Sequence, residues 1–135
     1  METCWRDEVC WPGPQARQAI QNQLRTSNPN AASILPSTVG FVDGTLIPFR
    51  HSPGFKNKDE KADVFNHRKQ RYGFQATIIA DDMRRITCFN SQWPGSVNDA
   101  RAVTSLAMWN SPEEYFSGDE IFIETAGDCR CAASC

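Results

Sequence analysis

Long hydrophobic runs and an excess of charge of one sign are both absent from this chain of 135 residues. No apolar stretch approaches the roughly 20 residues that a membrane helix needs, so the sequence predicts no membrane span. The formal net charge is −2, which argues against a surface coated with basic groups and restricts any nucleic-acid contact to a local patch. Arg6, Asp7 and Glu8 lie where a signal peptide would have its apolar region, which predicts an intracellular, soluble protein.

Histidine is scarce, and the cysteines do not form a familiar zinc pattern. The two histidines, His51 and His67, lie far apart in a polar segment. The spacing Cys129-x-Cys131-x-x-x-Cys135 has no second ligand pair at zinc spacing elsewhere in the chain. The chain has six cysteines, which would suggest disulfides only in a secreted protein. We therefore expect free thiols on a frayed tail, with a zinc cluster as the less favoured alternative.

An apolar run with a carboxylate in its middle is the most informative part of the sequence. Residues 40–48 (GFVDGTLIP) predict a buried strand that ends at Pro48. An aspartate buried in such a strand is costly unless a cation meets it, and a divalent metal is the usual reason to keep one there. The alternative is a turn at Asp43-Gly44, because Asp-Gly is also a strong hairpin signal.

The remaining chain predicts an alternation of helices and strands. Apolar residues at helical spacing after Pro14 predict a short helix that ends near residues 26–29. Ser96 and Asp99 have the spacing of a capping box at the start of a second helix. The predicted elements are a linker over 28–38, a strand over 39–48, a loop to about 71, a hairpin of strands 72–80 and 85–90 around a turn at Asp81 and Asp82, a helix over 96–109 and a strand over 120–124.

This order of elements predicts the fold class. A strand, a long loop, a hairpin, a helix and a further strand form the first half of a ribonuclease H-like fold. We therefore predict an α/β, partial ribonuclease H-like fold, with a mixed sheet, a helix after a β-hairpin and a short N-terminal helix. The domain organisation expected is an N-terminal segment with a helix and linker over 1–38, followed by the main domain over 39–135.

The long loop carries most of the positive charge. It holds seven cations against three anions, a local net charge of +4. Such a segment is either a solvated loop or a patch that faces phosphates. The cations are Arg50, Lys56, Lys58, Lys61, Arg68, Lys69 and Arg71.

Three segments together carry a family resemblance. They are residues 41–47 (FVDGTLI), 66–72 (NHRKQRY) and 93–101 (WPGSVNDAR). In this order and spacing they resemble the PIF/Harbinger-type DDE transposases and their domesticated relatives, over about residues 39–124. The resemblance implies a metal-dependent nuclease and strand transferase that acts on DNA phosphodiesters. It also implies a cofactor of divalent Mg²⁺ or Mn²⁺, held by two Asp and one Glu, because such cations take oxygen ligands.

The resemblance also implies roles for individual residues. Asp43 matches the first catalytic and metal-binding Asp of the family. The second follows the strand ending at Glu124, where Thr125 stands in direct register and Asp128 arrives three residues late, so Asp128 is the candidate second ligand. Asp99 is the third candidate catalytic residue, as a carboxylate near the site, with the cap of its helix as the alternative role. Arg68, Lys69, Arg71 and Arg101 are the candidate DNA-binding residues.

The resemblance leaves alternatives for the function of this chain. The tail after Asp128 is unlike the family, and the family's Glu is expected beyond Cys135, which predicts a C-terminally truncated domain that is inactive alone. The alternative is a non-catalytic, transposon-derived remnant that at most binds DNA or a protein partner, and a third interpretation is a non-functional translated fragment. The expected location is the nucleus, or else the cytoplasm. Expected partners are DNA and a separate DNA-binding protein, with no membrane, and an exposed apolar sheet face would favour self-association.

Overall fold

The computed structural model describes residues 9–27, 29–32, 37–124 and 130–132 of the chain. Helices and strands alternate along it, with short helices between several of the strands. In chain order, the elements are α1 (Pro14–Ser27), α2 (Pro29–Ala32), β1 (Thr38–Pro48), α3 (Lys58–Asp63), β2 (Phe65–Asn66), β3 (Arg71–Ala80), β4 (Ile86–Pro94), α4 (Asp99–Thr104), α5 (Ala107–Asn110), α6 (Pro112–Tyr115), β5 (Ile121–Glu124) and β6 (Arg130–Ala132).

The strands form a mixed sheet with β1 at its centre. β1 pairs antiparallel with β3 on one side and parallel with β5 on the other. β4 and the short β2 both pair with β3, and β6 pairs antiparallel with β5. The chain crosses from β4, beside β3, to β5 on the other side of β1, and α4, α5 and α6 lie in that connection. The predicted α/β, partial ribonuclease H-like fold is confirmed.

One face of the sheet carries the hydrophobic core. Val42 of β1 and Ile79 of β3 are fully buried there, beneath the crossover helices. Strand side chains alternate between the two faces, so Gly44 and Leu46 share this inner face with Val42. The buried cluster consists of Val42, Ile79, Val103, Leu106, Met108 and Phe122.

The opposite, outer face of β1, β3 and β4 is apolar and largely open. Ile47, Phe74 and Phe89 are 43%, 43% and 46% exposed. The register pairs Ile47 with Phe74 and Ile78 with Phe89, which places these side chains side by side on one surface. An exposed apolar sheet face of the kind expected from the sequence is therefore present, whereas self-association through it stays a prediction.

The helix predicted over 96–109 is divided in two, and its predicted capping box is wrong. The N-cap of α4 is Asn98, whose side-chain oxygen accepts a hydrogen bond of 2.8 Å from the Arg101 backbone nitrogen. Ser96 instead donates its backbone N–H to the Asp63 carbonyl, at 3.0 Å. The helix breaks at Leu106, whose ψ of 143° is extended, and α5 begins at the next residue.

The hairpin and its turn match the prediction. Asp81 is buried in the turn, and its carboxylate accepts hydrogen bonds from the Met83 and Arg85 backbone nitrogens and forms an ion pair of 2.7 Å with Arg85. Arg84 takes a positive φ of 63°, which this tight turn requires. β4 runs to Pro94, beyond the predicted end at residue 90. The long loop also differs from the prediction, because it contains α3 and β2.

A buried ion pair ties α1 to the start of β5. The Arg17 Nε lies 2.7 Å from the Glu120 Oε2, and both side chains are at most 10% exposed. Arg17 also donates to the Pro12 carbonyl and the Ser117 hydroxyl, and Glu120 accepts from the Ser117 backbone N–H. Each charge therefore has several partners, which offsets part of its cost of desolvation.

The cysteines and the tail agree with the prediction in part. Cys10 and Cys88 are free thiols, and burial raises the pKa of the Cys88 thiol above its usual value. Cys129 and Cys135 lie outside the described residues. Residues 130–132 form β6 and pair with β5, so this part of the tail is not frayed as the sequence suggested. In the described ranges, no helix is both long enough and apolar enough to cross a membrane.

Candidate functional site

Asp43 lies in the middle of the central strand β1. The predicted strand is confirmed, and the alternative of an Asp-Gly turn is wrong, because β1 continues unbroken through Gly44 to Pro48. Asp43 is level with Ile78 of β3, and the described pairing with β5 ends one residue earlier, at Val42 and Glu124. The candidate carboxylate therefore lies beside the C-terminal end of the parallel strand β5.

The carboxylate of Asp43 is not buried, contrary to the expectation from the apolar run. Asp43 is exposed. Its side chain lies on the outer sheet face, because side chains alternate along a strand and that of Val42 lies on the inner face. Water can solvate an exposed carboxylate, so its position alone does not demand a cation. Only the match of Asp43 to the family motif, and no cost of burial, therefore favours a metal here.

Asp99 lies on the other face of the sheet, directly above Gly44. A Cβ placed on Gly44 would collide with the Asp99 carboxylate, so Gly44 leaves the space that Asp99 occupies. The buried Gln75 of β3 donates its side-chain amide to one carboxylate oxygen, and the Arg68 Nη2 lies 3.5 Å from the other. Because Asp43 and Asp99 lie on opposite faces of β1, the structure does not bring these two candidate carboxylates together.

Asp99 is not the N-cap of α4, which was one of the two roles that the sequence predicted for it. It is the first residue of α4, and Asn98 is the N-cap. A carboxylate in this first turn still interacts favourably with the partial positive charge of the helix N-terminus. Asp99 thus joins three elements: the start of α4, the inner face of β3 and the turn that carries Arg68.

The three segments that carry the family resemblance meet around Asp99. The Asn66 side-chain amide donates to the Gly95 carbonyl at 2.8 Å, and this bond joins the second segment to the third. Gly44, from the first segment, lies beneath the Asp99 carboxylate. The last two segments enclose a pocket of about 200 Å³, which is lined by residues 66–68 and 96–99 and by Gln75.

The candidate DNA-binding cations divide into two places. Arg68, Lys69 and Arg71 are exposed around the turn between β2 and β3, and the Arg68 side chain is 72% exposed. Arg101 lies on α4, where its guanidinium is 5.6 Å from the Trp93 ring centroid. Arg68, from the first of these places, pairs with the Asp99 carboxylate.

The candidate second metal ligand, Asp128, lies outside the described residues, as does Thr125 at the family's position in direct register. Within residues 9–27, 29–32, 37–124 and 130–132, no three His, Cys, Asp or Glu side chains are close enough together to hold a metal ion. Asp43 and Asp99 cannot share one cation, because they lie on opposite sheet faces.

Comparison with known proteins decides the family. The family model for the DDE superfamily endonuclease matches residues 42–132. The chain belongs to this family. Searches of curated proteins and of solved structures gave no match. The match continues past Glu124 into the tail, so the expectation that the tail is unlike the family is wrong as far as residue 132. Members of a DDE endonuclease family act on DNA and typically use divalent metals.

Two residues of this DDE endonuclease domain escaped the sequence interpretation. Gln75 is 3% exposed and supports Asp99 from below, and Gly44 provides the space for that carboxylate. A signal for Gln75 exists, because it is a polar residue among strand formers in residues 72–80. For Gly44 no local signal exists, since its neighbour Asp99 is distant along the chain.

Proposed function

We propose that this DDE endonuclease domain is of the PIF/Harbinger transposase type and that its substrate is nuclear DNA. The observation that carries the proposal is the convergence of the three Harbinger-like segments around Asp99, with Asn66 bonded to Gly95 and Gly44 packed beneath the carboxylate. Segments that resemble one family in sequence and also meet in space form a single site, whereas chance matches would have no reason to contact one another.

We further propose that Asp43 is one ligand of a divalent Mg²⁺ or Mn²⁺, with Asp128 as the second. The exposed carboxylate of Asp43, at the centre of the sheet, has the oxygen donors that these cations prefer. Cleavage of phosphodiesters in such sites uses two cations about 3.5–4 Å apart, which two carboxylates hold less firmly than the family's set of three. Because Asp99 faces away from Asp43, we expect the isolated chain to bind metal weakly and not to cut DNA. A non-catalytic, DNA-binding role is the alternative that this separation favours.

Titration with metal tests the role of Asp43. We expect isothermal titration calorimetry with Mn²⁺ to detect weak binding to the wild-type chain and its loss in Asp43→Asn. The loss follows because the substitution replaces a charged oxygen ligand with a neutral amide. Asp99→Asn should keep the binding, since its carboxylate lies on the other sheet face. Equal binding by wild type and Asp43→Asn would remove Asp43 from the site.

A cleavage assay tests the activity. With purified chain, supercoiled plasmid and Mn²⁺, we expect no nicking above that of the Asp43→Ala variant, because Asp99 lies on the opposite sheet face and cannot join Asp43 in a two-cation site. Nicking that disappears in Asp43→Ala would show that the isolated chain is an active nuclease and would contradict the non-catalytic alternative.

The salt dependence of DNA binding tests the interface. We expect weak, non-specific binding to duplex DNA, carried by Arg68, Lys69 and Arg71 around the exposed turn. Replacing all three by glutamine should reduce the slope of log K against log salt by about 2.7, since each neutralised phosphate contributes about 0.9. Arg84→Gln, at the β3–β4 turn, is the control and should leave the slope unchanged. A slope that the triple variant does not alter would place the contact elsewhere.

A further inference from the structure

A second pocket lies beside the Asp99 pocket, on the other side of His67. It has a volume of about 270 Å³ and lies between α3 and the start of β3. Its lining consists of Lys58, Lys61, Ala62, Phe65, His67 and Tyr72. Lysine and aromatic side chains therefore surround one cavity, which the proposed catalytic and phosphate-binding residues do not use.

Three aromatic rings form one wall of this pocket. The Phe65 ring centroid is 5.0 Å from that of His67 and 4.9 Å from that of Tyr72. The first pair meets edge to face at 90°, and the second is tilted by 57°. Each ring holds its neighbour in place, and Phe65 is directly paired with Tyr72 in the sheet. The wall is thus an aromatic surface that water reaches, since Phe65 and Tyr72 are only half-buried and His67 is exposed.

The charges of α3 are segregated so that its lysines meet this wall. Lys58, Lys61 and Ala62 share one helix face, because residues three and four apart are neighbours on a helix surface. The three acidic residues of α3, Asp59, Glu60 and Asp63, are not among the residues that line the pocket. The positive charge of α3 is therefore concentrated at the cavity, although the helix as a whole is not basic.

The two ammonium groups at the pocket are available to a ligand. Among the residues that the structure describes, neither Lys58 nor Lys61 forms an ion pair. The Lys61 Nζ lies 5.5 Å from the Tyr72 ring centroid, over the ring, which is a weak contact that leaves its hydrogen-bond donors unused. An anionic group held at the rim could accept from both lysines.

We propose that this pocket binds an unpaired nucleotide of single-stranded DNA. The base would stack on the Tyr72 ring in place of the Lys61 ammonium, with Phe65 at its edge, and its phosphate would meet Lys58 and the displaced Lys61. Aromatic platforms next to cations are the usual means by which proteins hold unpaired bases, because every base has a stacking face. The bases of a duplex cover one another's faces, so duplex DNA would not use the pocket. The assignment of DNA over other polyanions rests on the proposed function.

The position of the pocket is consistent with such a strand. His67 lines both this pocket and the Asp99 pocket, and the exposed Arg68 and Lys69 follow it directly. A strand whose phosphates contact the turn of Arg68 and Lys69 could therefore place the next unpaired base against Phe65 and Tyr72. The pocket would then distinguish opened DNA from intact duplex next to the proposed phosphate contacts.

Fluorescence anisotropy with the whole chain tests the proposal. The probes are a labelled single-stranded oligonucleotide and the duplex of the same sequence, at one low salt concentration. We expect Tyr72→Leu to weaken single-strand binding about tenfold, which lies within the range that stacking of one base contributes, and to leave duplex binding unchanged. Phe65→Leu should have the same effect, and it provides the test if Tyr72→Leu fails to fold. Phe89→Leu, an exposed aromatic on the outer sheet face, is the matched control and should change neither affinity.

The other outcomes overturn the proposal. Unchanged single-strand affinity in both folded pocket variants would show that no base stacks there. An equal loss of single-strand and duplex binding would show a phosphate contact without selectivity for unpaired bases. Neither outcome would affect the proposed function, because the Mn²⁺ titration of Asp43→Asn and the salt slope of the triple variant do not involve Tyr72 or Phe65.

Discussion

Gly73→Ala should lower the free energy of unfolding by about 2 kcal/mol or more, as overpacking of a tight site does. Gly73 of β3 faces Pro48 at the end of β1. A Cβ at this position would collide with the Ile47 carbonyl oxygen and lie 3.0 Å from the Ile47 carbonyl carbon and the Pro48 Cα. These are backbone atoms of the central strand, which cannot rotate away as a flexible side chain could. The sheet must therefore separate locally to admit one methyl group.

Urea unfolding followed by circular dichroism measures this effect, with a second glycine as its control. Gly54 has no atom within 4 Å of the position that a Cβ would take, so Gly54→Ala should change the stability by less than about 0.5 kcal/mol. Equal stability of the two variants would show that β1 and β3 do not approach so closely at Gly73. Gly73 also donates its backbone N–H to the Val64 carbonyl at 2.9 Å, so we expect the Gly73 variant to disturb the neighbouring turn of Arg68 as well.

Glu120→Gln should be the more severe of the two changes, with a loss of about 3–5 kcal/mol in the free energy of unfolding. The substitution keeps the size of the side chain but removes the charge that compensates Arg17. Arg17 is 4% exposed, so its guanidinium would then be a buried and uncompensated cation. The measurement is again denaturant unfolding. Asp119→Asn, at the exposed neighbouring position, is the control and should be nearly neutral.

A double variant separates the ion pair from simple loss of packing. Arg17→Met combined with Glu120→Leu removes both charges and should recover most of the lost stability, because apolar groups of similar volume can replace a buried ion pair. If Glu120→Gln proves as stable as Asp119→Asn, the Arg17–Glu120 pair does not hold α1 in place. The sequence predicts a boundary between residues 1–38 and 39–135, and the Arg17–Glu120 ion pair crosses it. We therefore expect residues 39–135 to have a lower free energy of unfolding when residues 1–38 are removed.

The family and the order of elements could be predicted from the sequence because both depend on local patterns. The apolar run around Asp43 predicts a strand, residues 72–90 predict a hairpin with Asp81 in its turn, and Pro14 marks the start of the first helix. Each feature leaves a local pattern of residue types in the sequence, although the strand around Asp43 pairs with distant residues. The structure agrees at all of these places, and the family match begins at residue 42 and runs through all three motif segments.

The geometry of the site could not be predicted in the same way. Alternation along β1 shows that Asp43 and Gly44 point to opposite faces, but not which face the helices cover. That choice decides whether Asp43 is buried or exposed, and it is made by α4 and α5 packing over Val42 and Ile79. The apolar pattern around Asp43 suits either outcome, because the outer face of the sheet is itself apolar.

The sequence by itself determined the family, the course of β1 with Asp43 at its centre and the concentration of cations up to residue 71. Tertiary structure alone decided that Asp99 pairs with Arg68, which is 31 residues away, and that Asn98 rather than Ser96 caps α4. It also decided that the lysines of α3 meet the rings of Phe65 and Tyr72. The physical reason is that these contacts join separate elements, and their relative placement follows from sheet register and core packing rather than from any local run of residues.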